Sequence, residues 1–382
     1  MPHHGRKVAI VGVGYSHVGR NTGLTVLQNA FRASMDAITD AGLKPSDIDG
    51  VTQYGFSFES VTCWEVADAL GIKDLAWYND INGWGPAGIT GLIDACAAVA
   101  SGSAEVCLAY RSVSLTGGHS AGRKPPTHIP GDNQFTVPYG FISATQWVAM
   151  YMRRHMAVYG TKEEHFGAVA VAQREYASLN PRALMRQKIT MQDYLSARYI
   201  TEPMRLLDCD LPVDGAGAVI VTTAERAKAL KQRPVYVDAW SFGAGHPYDW
   251  FQWPDLTTNG SIVASKYLWK RSQFKPGDVD TAQVYDGFTM LTLNWLEALG
   301  LCPMGEGGRF VADGNTKLGG KLPTNTNGGM LNIGRVHGIS HVIEAVEQLR
   351  GTCGPRQTPN AKVAVATNGG GPMAGAAVLY RE

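Results

Sequence analysis

Asn325-Thr326-Asn327-Gly328-Gly329 runs on to Gly334-Arg335-Val336-His337-Gly338, and the chain closes with Thr367-Asn368-Gly369-Gly370-Gly371 ahead of the apolar run Gly375 to Tyr380. Glycine turns of this kind let backbone NH groups approach a bound oxygen closely, as stabilisation of an enolate or oxyanion requires. A third such turn, Gly83-Trp84-Gly85-Pro86-Ala87-Gly88, opens a helical pattern in the first half. Outward from these turns, the chain repeats one grammar twice. The first pass has strand 7–12, an amphipathic pattern over 24–41, strands near 50–54 and 76–79, a helix over 86–100 and strand 105–113, and ends on the apolar run Gly215 to Thr222. The second has strand 235–240, a helix over 262–272, strand 281–285, helices over 289–300 and 339–350 and strand 362–366, and ends on Gly375 to Tyr380. The alternation predicts an α/β chain of parallel-biased sheets covered by helices, and the repetition predicts a duplicated unit.

Between Thr116 and Thr201 the strand grammar stops, and apolar residues recur at helical spacing over 143–159 and 162–177. The predicted division is therefore 1–115 with 202–230 as one half, 116–201 as an insertion, and 231–382 as the other half. On spacing alone, the insertion is as compatible with a dimerisation arm as with a cover over a site.

With 382 residues, 45% of them hydrophobic, the chain has material for a large core and one fused two-domain body. The formal net charge is +1 and the basic residues are dispersed, which argues against a nucleic-acid surface or an electrostatic membrane anchor. No apolar stretch approaches the roughly 20 residues that span a bilayer, and Met1 to Lys7 leads directly into a strand pattern without a signal-peptide profile, so a cytoplasmic protein is expected. The six cysteines, at 63, 96, 107, 209, 302 and 353, lack metal-ligand spacing and read as thiols, with no metal bound. Gly12-Val13-Gly14 lacks the third glycine of a dinucleotide loop, its place being held by His17, and NAD is rejected.

Taken together, the turn at 83–88, Leu206-Leu207-Asp208-Cys209, Tyr285-Asp286-Gly287-Phe288-Thr289, Asn325 to Gly329, Gln348-Leu349-Arg350-Gly351 and the closing triple glycine resemble the thiolase superfamily over nearly the whole chain. The resemblance is to its thiolase-like lipid-transfer-protein group, and within it to the steroid side-chain aldolases. It implies the thiolase fold, two halves in a five-layered αβαβα core, with 116–201 as a loop domain that covers the active site and contacts coenzyme A. In thiolases a nucleophilic cysteine, a histidine and a second cysteine stand where this chain has Gly85, Arg335 and Thr367. A glycine cannot be acylated, so the covalent half of thiolase chemistry is unavailable. The implied reaction is retro-aldol cleavage of a β-hydroxyacyl-CoA with a tertiary alcohol to a ketone and a short acyl-CoA such as propionyl-CoA. Coenzyme A is then part of the substrate, and no other cofactor is expected. The resemblance further implies a homodimer working with a small OB-fold and zinc-ribbon partner, often joined to an enoyl-CoA hydratase, in a heterotetramer. A lipid- or acyl-CoA-binding protein without catalysis, an acyltransferase subunit and a purely structural subunit are the alternatives.

Tyr285, at a strand-to-helix exit, is by itself most simply a core tyrosine followed by a capping aspartate, Asp286. In the resembling aldolases it is an active-site residue, and a phenol shuttles a proton once its pKa of about 10 is lowered. Arg335 departs from the tyrosine several of those aldolases carry; it is a poor proton acceptor but polarises an oxyanion or lowers a neighbouring pKa, against a bland role as a salt bridge. His337 is a candidate base, oxyanion donor or structural prop of its glycine loop. Gly85, Gly329 and Gly370 are the candidate amide donors to the thioester oxygen. The aromatic stretch His246 to Pro254 is either a hydrophobic plug or interface, or one wall of an acyl pocket with Tyr248 near the reacting centre.

Overall fold

The computed structural model describes residues 5–55, 61–82, 87–116, 129, 131–250 and 252–382. Its strands are β1 (Val8–Tyr15), β2 (Gly50–Gly55), β3 (Trp77–Asn82), β4 (Val106–Ser114), β5 (Tyr199–Thr201), β6 (Met204–Arg205), β7 (Asp214–Thr223), β8 (Val235–Ala244), β9 (Thr281–Gln283), β10 (Val363–Gly369) and β11 (Met373–Tyr380). Nine of them form one sheet in the order β3-β2-β4-β7-β1-β8-β11-β10-β9, while β5 and β6 pair separately.

The duplication is visible in the pairing. From the seam where Val8–Ile10 meets Val235–Val237, two antiparallel neighbours follow on each side, β7 and β4 on one and β11 and β10 on the other. A parallel strand comes next, β2 or β9, and then another parallel partner, β3 on one arm and a single bridge at Thr324 on the other. The expected parallel bias is corrected: five of the eight pairings within the large sheet are antiparallel. Parallel neighbours need a crossover; β10 reaches β11 through a short glycine turn, and β4 reaches β7 through the long insertion.

Strand periodicity sorts the core into layers, because successive side chains point to opposite faces. Val8 and Ile10 of β1, Val219 and Val221 of β7, Ala364 and Ala366 of β10 and Ala377 of β11 share one core with helices Ala87–Ser101 and Ile339–Arg350. Their neighbours Ala9, Val11, Ala218 and Ile220 face helices Val26–Ala41 and Cys63–Leu70 instead. On the other arm, Val363, Val365, Ala376 and Val378 face helices Gly260–Arg271 and Thr289–Ala298. Helices thus lie between the two half-sheets and outside each, the five-layered αβαβα arrangement.

Helix Val26–Ala41 starts at Thr25, whose side chain accepts from Gln28 N while the Gln28 side chain accepts from Thr25 N. Gly12 and Gly14 let that helix lie directly on β1, since a Cβ at either would overlap backbone of Ala37 or Ala33. The glycines that resemble a dinucleotide loop therefore serve helix packing. Helices Ala144–Tyr159 and Glu163–Leu179 of the insertion bury Val148, Tyr151, Met152 and Phe166 against Met290, Leu293 and Trp295. The insertion is thereby docked on the helix that begins just after Tyr285.

Candidate active site

Five chain segments meet where β9 ends. Tyr285 is fixed through its backbone, its N–H donating to Thr367 Oγ1 at 2.9 Å. Thr367, where thiolases carry their second cysteine, therefore acts here as a backbone anchor. Asp210 N donates to Gly287 O at 3.1 Å, Leu211 N to Met330 O at 3.3 Å and Arg335 N to Leu211 O at 2.8 Å, so Asp210-Leu211 ties the Tyr285 loop to the Arg335 loop. Asn368 Nδ2 and Gly88 N both donate to His337 O, which brings the start of helix Ala87–Ser101 onto the same loop.

Arg111, fully buried in β4, points at this junction. Its Nη2 lies 2.8 Å and its Nε 3.3 Å from His337 Nδ1, and its Nη1 donates to the carbonyls of Tyr54 and Ser112 at 3.1 Å each. A guanidinium only donates, so Nδ1 accepts and the imidazole proton sits on Nε2. Burial, then Arg111 and Arg335, hold the His337 pKa well below its usual value. His337 is consequently a neutral donor through Nε2, an atom with no protein partner among the described residues. Of the roles open to it in the sequence, this geometry fits the oxyanion donor and not the base.

The hydroxyl of Tyr285 also has no protein partner among the described residues, and its ring folds over Gly287, where a Cβ would touch the phenol oxygen. Burial pushes the phenol pKa up, Asp210 pushes it further, and Arg335 opposes both. The expected lowering of the Tyr285 pKa is thus reversed, and the phenol stays protonated at neutral pH. Arg335 Nε stands 3.8 Å from Asp210 Oδ2, and its charge reaches Tyr285 and His337 together.

Asp286 lies behind this surface. Fully buried, it accepts from Met330 N at 3.1 Å and His341 Nε2 at 3.0 Å, and its other oxygen faces Leu331 N. It acts on the site through the loop it holds. Gly329 takes a left-handed φ of 65° beside it, and a Cβ there would overlap both Asp286 and Gln173. Its amide donates to Asn327 Oδ1 at 2.8 Å, so Gly329 supplies no donor to a substrate. The rest of the asparagine-glycine run is likewise structural: Asn325 Oδ1 accepts from Val284 N at 2.7 Å, and Thr326 Oγ1 donates to Glu344 at 2.6 Å. The buried amide of Gly370, by contrast, has no partner among the described residues.

Tyr248, expected at a pocket wall, is 67% exposed and packs edge-on against His246. Trp250, two residues on, is the ring turned inward: its indole lies on Gly371, where a Cβ would overlap it, and stacks on Trp147 at 5.5 Å. Gly85 lies outside the described residues. Arg111, Asp210 and Trp250 were not singled out from the sequence; the one signal for Arg111 is a lone charge inside an apolar strand.

A cavity of about 400 Å³ opens beside Val336, lined also by Tyr15, His17, Arg182, Asn327 and Glu344. None of Tyr285, Arg335 and His337 lines it, and the chemistry is placed with Tyr285 and His337, whose phenol oxygen and Nε2 have no protein partner among the described residues. Among the described residues, Glu344, Glu347 and Cys353 stand close enough together to hold a cation, yet Arg356 already pairs with both carboxylates.

Residues 244–380 match the thiolase C-terminal domain-like family. A 17-hydroxy-3-oxo-4-pregnene-20-carboxyl-CoA lyase of Mycobacterium tuberculosis is 40% identical over 357 residues, covering 91% of this chain and 92% of that protein. A steroid side-chain-cleaving aldolase of Thermomonospora curvata is 37% identical, covering 90% of each. The solved structure of an Ltp2-ChsH2(DUF35) aldolase superposes with a TM-score of 0.92 at 34% identity, covering 99% of this chain and 98% of that one.

Proposed function

This chain belongs to the thiolase-like family that includes the steroid side-chain-cleaving aldolases and, as in them, is a carbon–carbon lyase of acyl-CoA thioesters; we propose that it cleaves a steroid β-hydroxyacyl-CoA with a tertiary alcohol to a ketone and propionyl-CoA. Loss of the hydroxyl proton drives electrons into a new C=O bond as the carbon–carbon bond breaks, and the departing fragment is a thioester enolate. The observation that carries the reading is that His337 Nε2–H, the Gly370 amide and the Tyr285 phenol have no protein partner among the described residues, while Thr367 and Asn368 tie together the segments that carry them. Preorganised donors of this kind are worth most where charge develops in a dry site. Tyr285, as a protonated phenol, donates to the oxygen that becomes the ketone, and Arg335 supplies positive charge to the same region.

Under this reading residues 1–115 with 202–230 and residues 231–382 are the two halves, and 116–201 is the loop domain that covers the acyl-CoA. The protein works in the cytoplasm as a homodimer joined by a small OB-fold and zinc-ribbon partner, in a heterotetramer. The pairing of names in the Ltp2-ChsH2(DUF35) structure supports such a partner. No cofactor beyond the substrate's own coenzyme A takes part.

The test supplies 17-hydroxy-3-oxo-4-pregnene-20-carboxyl-CoA to the chain, alone and with candidate partner subunits. Release of the 17-ketone and propionyl-CoA is expected, while incubation with acetyl-CoA leaves the intact mass unchanged because glycine replaces the nucleophile. A stable acylated cysteine with thiolytic turnover would overturn the reading in favour of acyl transfer, and tight binding without cleavage in favour of a lipid-binding protein.

A further inference from the structure

Resting on the retro-aldol reading, we propose that Asp210 is the general base that takes the substrate's hydroxyl proton, with Arg335 as its counter-ion. Neither group expected to do this is suited to it. His337 has its only basic nitrogen filled by Arg111, and Tyr285 is a protonated phenol whose anion burial disfavours.

Three aspartates line this junction, and their oxygens are used differently. Asp208 accepts from Tyr194 at 3.0 Å, Thr289 at 2.5 Å and Arg205 N at 2.6 Å. Asp286 accepts from Met330 N and His341. Asp210 accepts no hydrogen bond among the described residues; its one close partner is Arg335 Nε, at 3.8 Å beyond hydrogen-bond range. Its side chain is 12% exposed, and its own amide and the backbone of Leu211 are tied to the Tyr285 and Arg335 loops. An open, positioned, nearly desolvated carboxylate beside a counter-cation is the arrangement a general base needs. Asp210 is also the charge that acts most strongly on Tyr285, so the carboxylate and the phenol face one region. Burial raises its pKa to about 6 against the pull of Arg335, with Asp286 adding to the rise, so it is ionised at neutral pH but more basic than a surface carboxylate.

In the step itself the hydroxyl proton passes to the Asp210 carboxylate, and the O–H pair becomes the new C=O bond. The bond to the thioester α-carbon breaks, its pair forming the enolate that His337 and Gly370 hold. The proton on Asp210 then returns to that carbon, completing propionyl-CoA with no water consumed and the carboxylate restored.

The test is Asp210→Asn beside Asp210→Glu, assayed on the steroid thioester across pH 5 to 8. The asparagine variant should lose roughly a hundred- to ten-thousand-fold in kcat with little change in KM, and the glutamate variant should keep part of the rate. In the unaltered enzyme kcat/KM should rise with pH through about 6, because the protonated carboxyl cannot accept. That limb should vanish from the residual activity of Asp210→Asn. Tyr285, Asp286, Arg335 and, through Arg335, His337 and Arg111 face the same space; burial pushes the Tyr285 phenol up and the His337 imidazole well down, and Asp208, which burial also raises to about 6, is told apart because the limb must vanish in Asp210→Asn. Near-normal turnover in Asp210→Asn, or a flat profile for the unaltered enzyme between pH 5 and 7, overturns the base while leaving the lyase intact. An unaltered enzyme that never cleaves the thioester overturns the lyase reading itself.

Discussion

Replacing Asp210 by Asn should stabilise the fold as it removes activity, and the size of the gain follows from the site. Burial lifts the carboxyl from 3.8 to about 6 even with Arg335 beside it, so the ionised form is held in the folded state at a cost. At about 1.4 kcal/mol per pKa unit, the displacement corresponds to about 3 kcal/mol at pH 7 to 8. A group whose folded pKa is raised contributes its stability below the unfolded pKa and loses it as pH rises through the folded value. Asparagine escapes that loss, so the advantage should be about 3 kcal/mol near pH 8, shrink between pH 6 and 4, and disappear below 3.8. Urea unfolding followed by tryptophan fluorescence at pH 8, 6 and 4 measures it. A destabilised asparagine variant, or a gain independent of pH, would refute the claim that Asp210 is a strained, desolvated carboxylate.

Tyr285→Phe removes one oxygen without disturbing packing, and turnover should fall by roughly 10²–10⁴-fold with the melting temperature unchanged, since that hydroxyl has no protein partner among the described residues. His337→Phe should cost about 10²–10³-fold in kcat as an oxyanion donor is lost, and the same assay on Arg111→Met should show both lower turnover and lower stability. For Arg335, Lys should retain part of the activity and Met little, in steady-state assays at fixed pH. Parallel losses of stability in both variants would instead assign Arg335 to packing. Arg335→Tyr restores the residue of several related aldolases, and a gain in cleavage of the steroid thioester would mean that this chain prefers another acyl group.

Most of the fold could be read from apolar spacing because both of its periods are long and regular. Helix Cys63–Leu70 was missed although Thr62 and Glu65 form a capping box, the sequence signature that announces it. Strand direction was misread for a physical reason: alternation of helices and strands says nothing about segments joined by a tight turn or by a long insertion. At the site, glycine words drew attention to Tyr285, Arg335, His337 and Gly370, because such words mark close backbone approach. They could not separate the Gly329 amide, spent on Asn327, from the open amide of Gly370. Nor could spacing tell Asp208 from Asp210, two residues apart, of which one is saturated with hydrogen bonds and the other is not. Tyr248 and Trp250 are separated in the same way, by which of two nearby rings the chain turns inward.

The contact between Arg111 and His337 spans 226 residues of chain. During synthesis at about 5–20 residues per second, the guanidinium emerges roughly 10–45 s before the imidazole exists to receive it. The amino-terminal half thus cannot complete its own interior while it is being made, and a buried cation is the part left waiting. Chaperone binding or aggregation of nascent chains should concentrate in that interval. A truncated chain ending before residue 330 should accumulate as an expanded species in which β4 exchanges its amide hydrogens freely, while the full chain protects them.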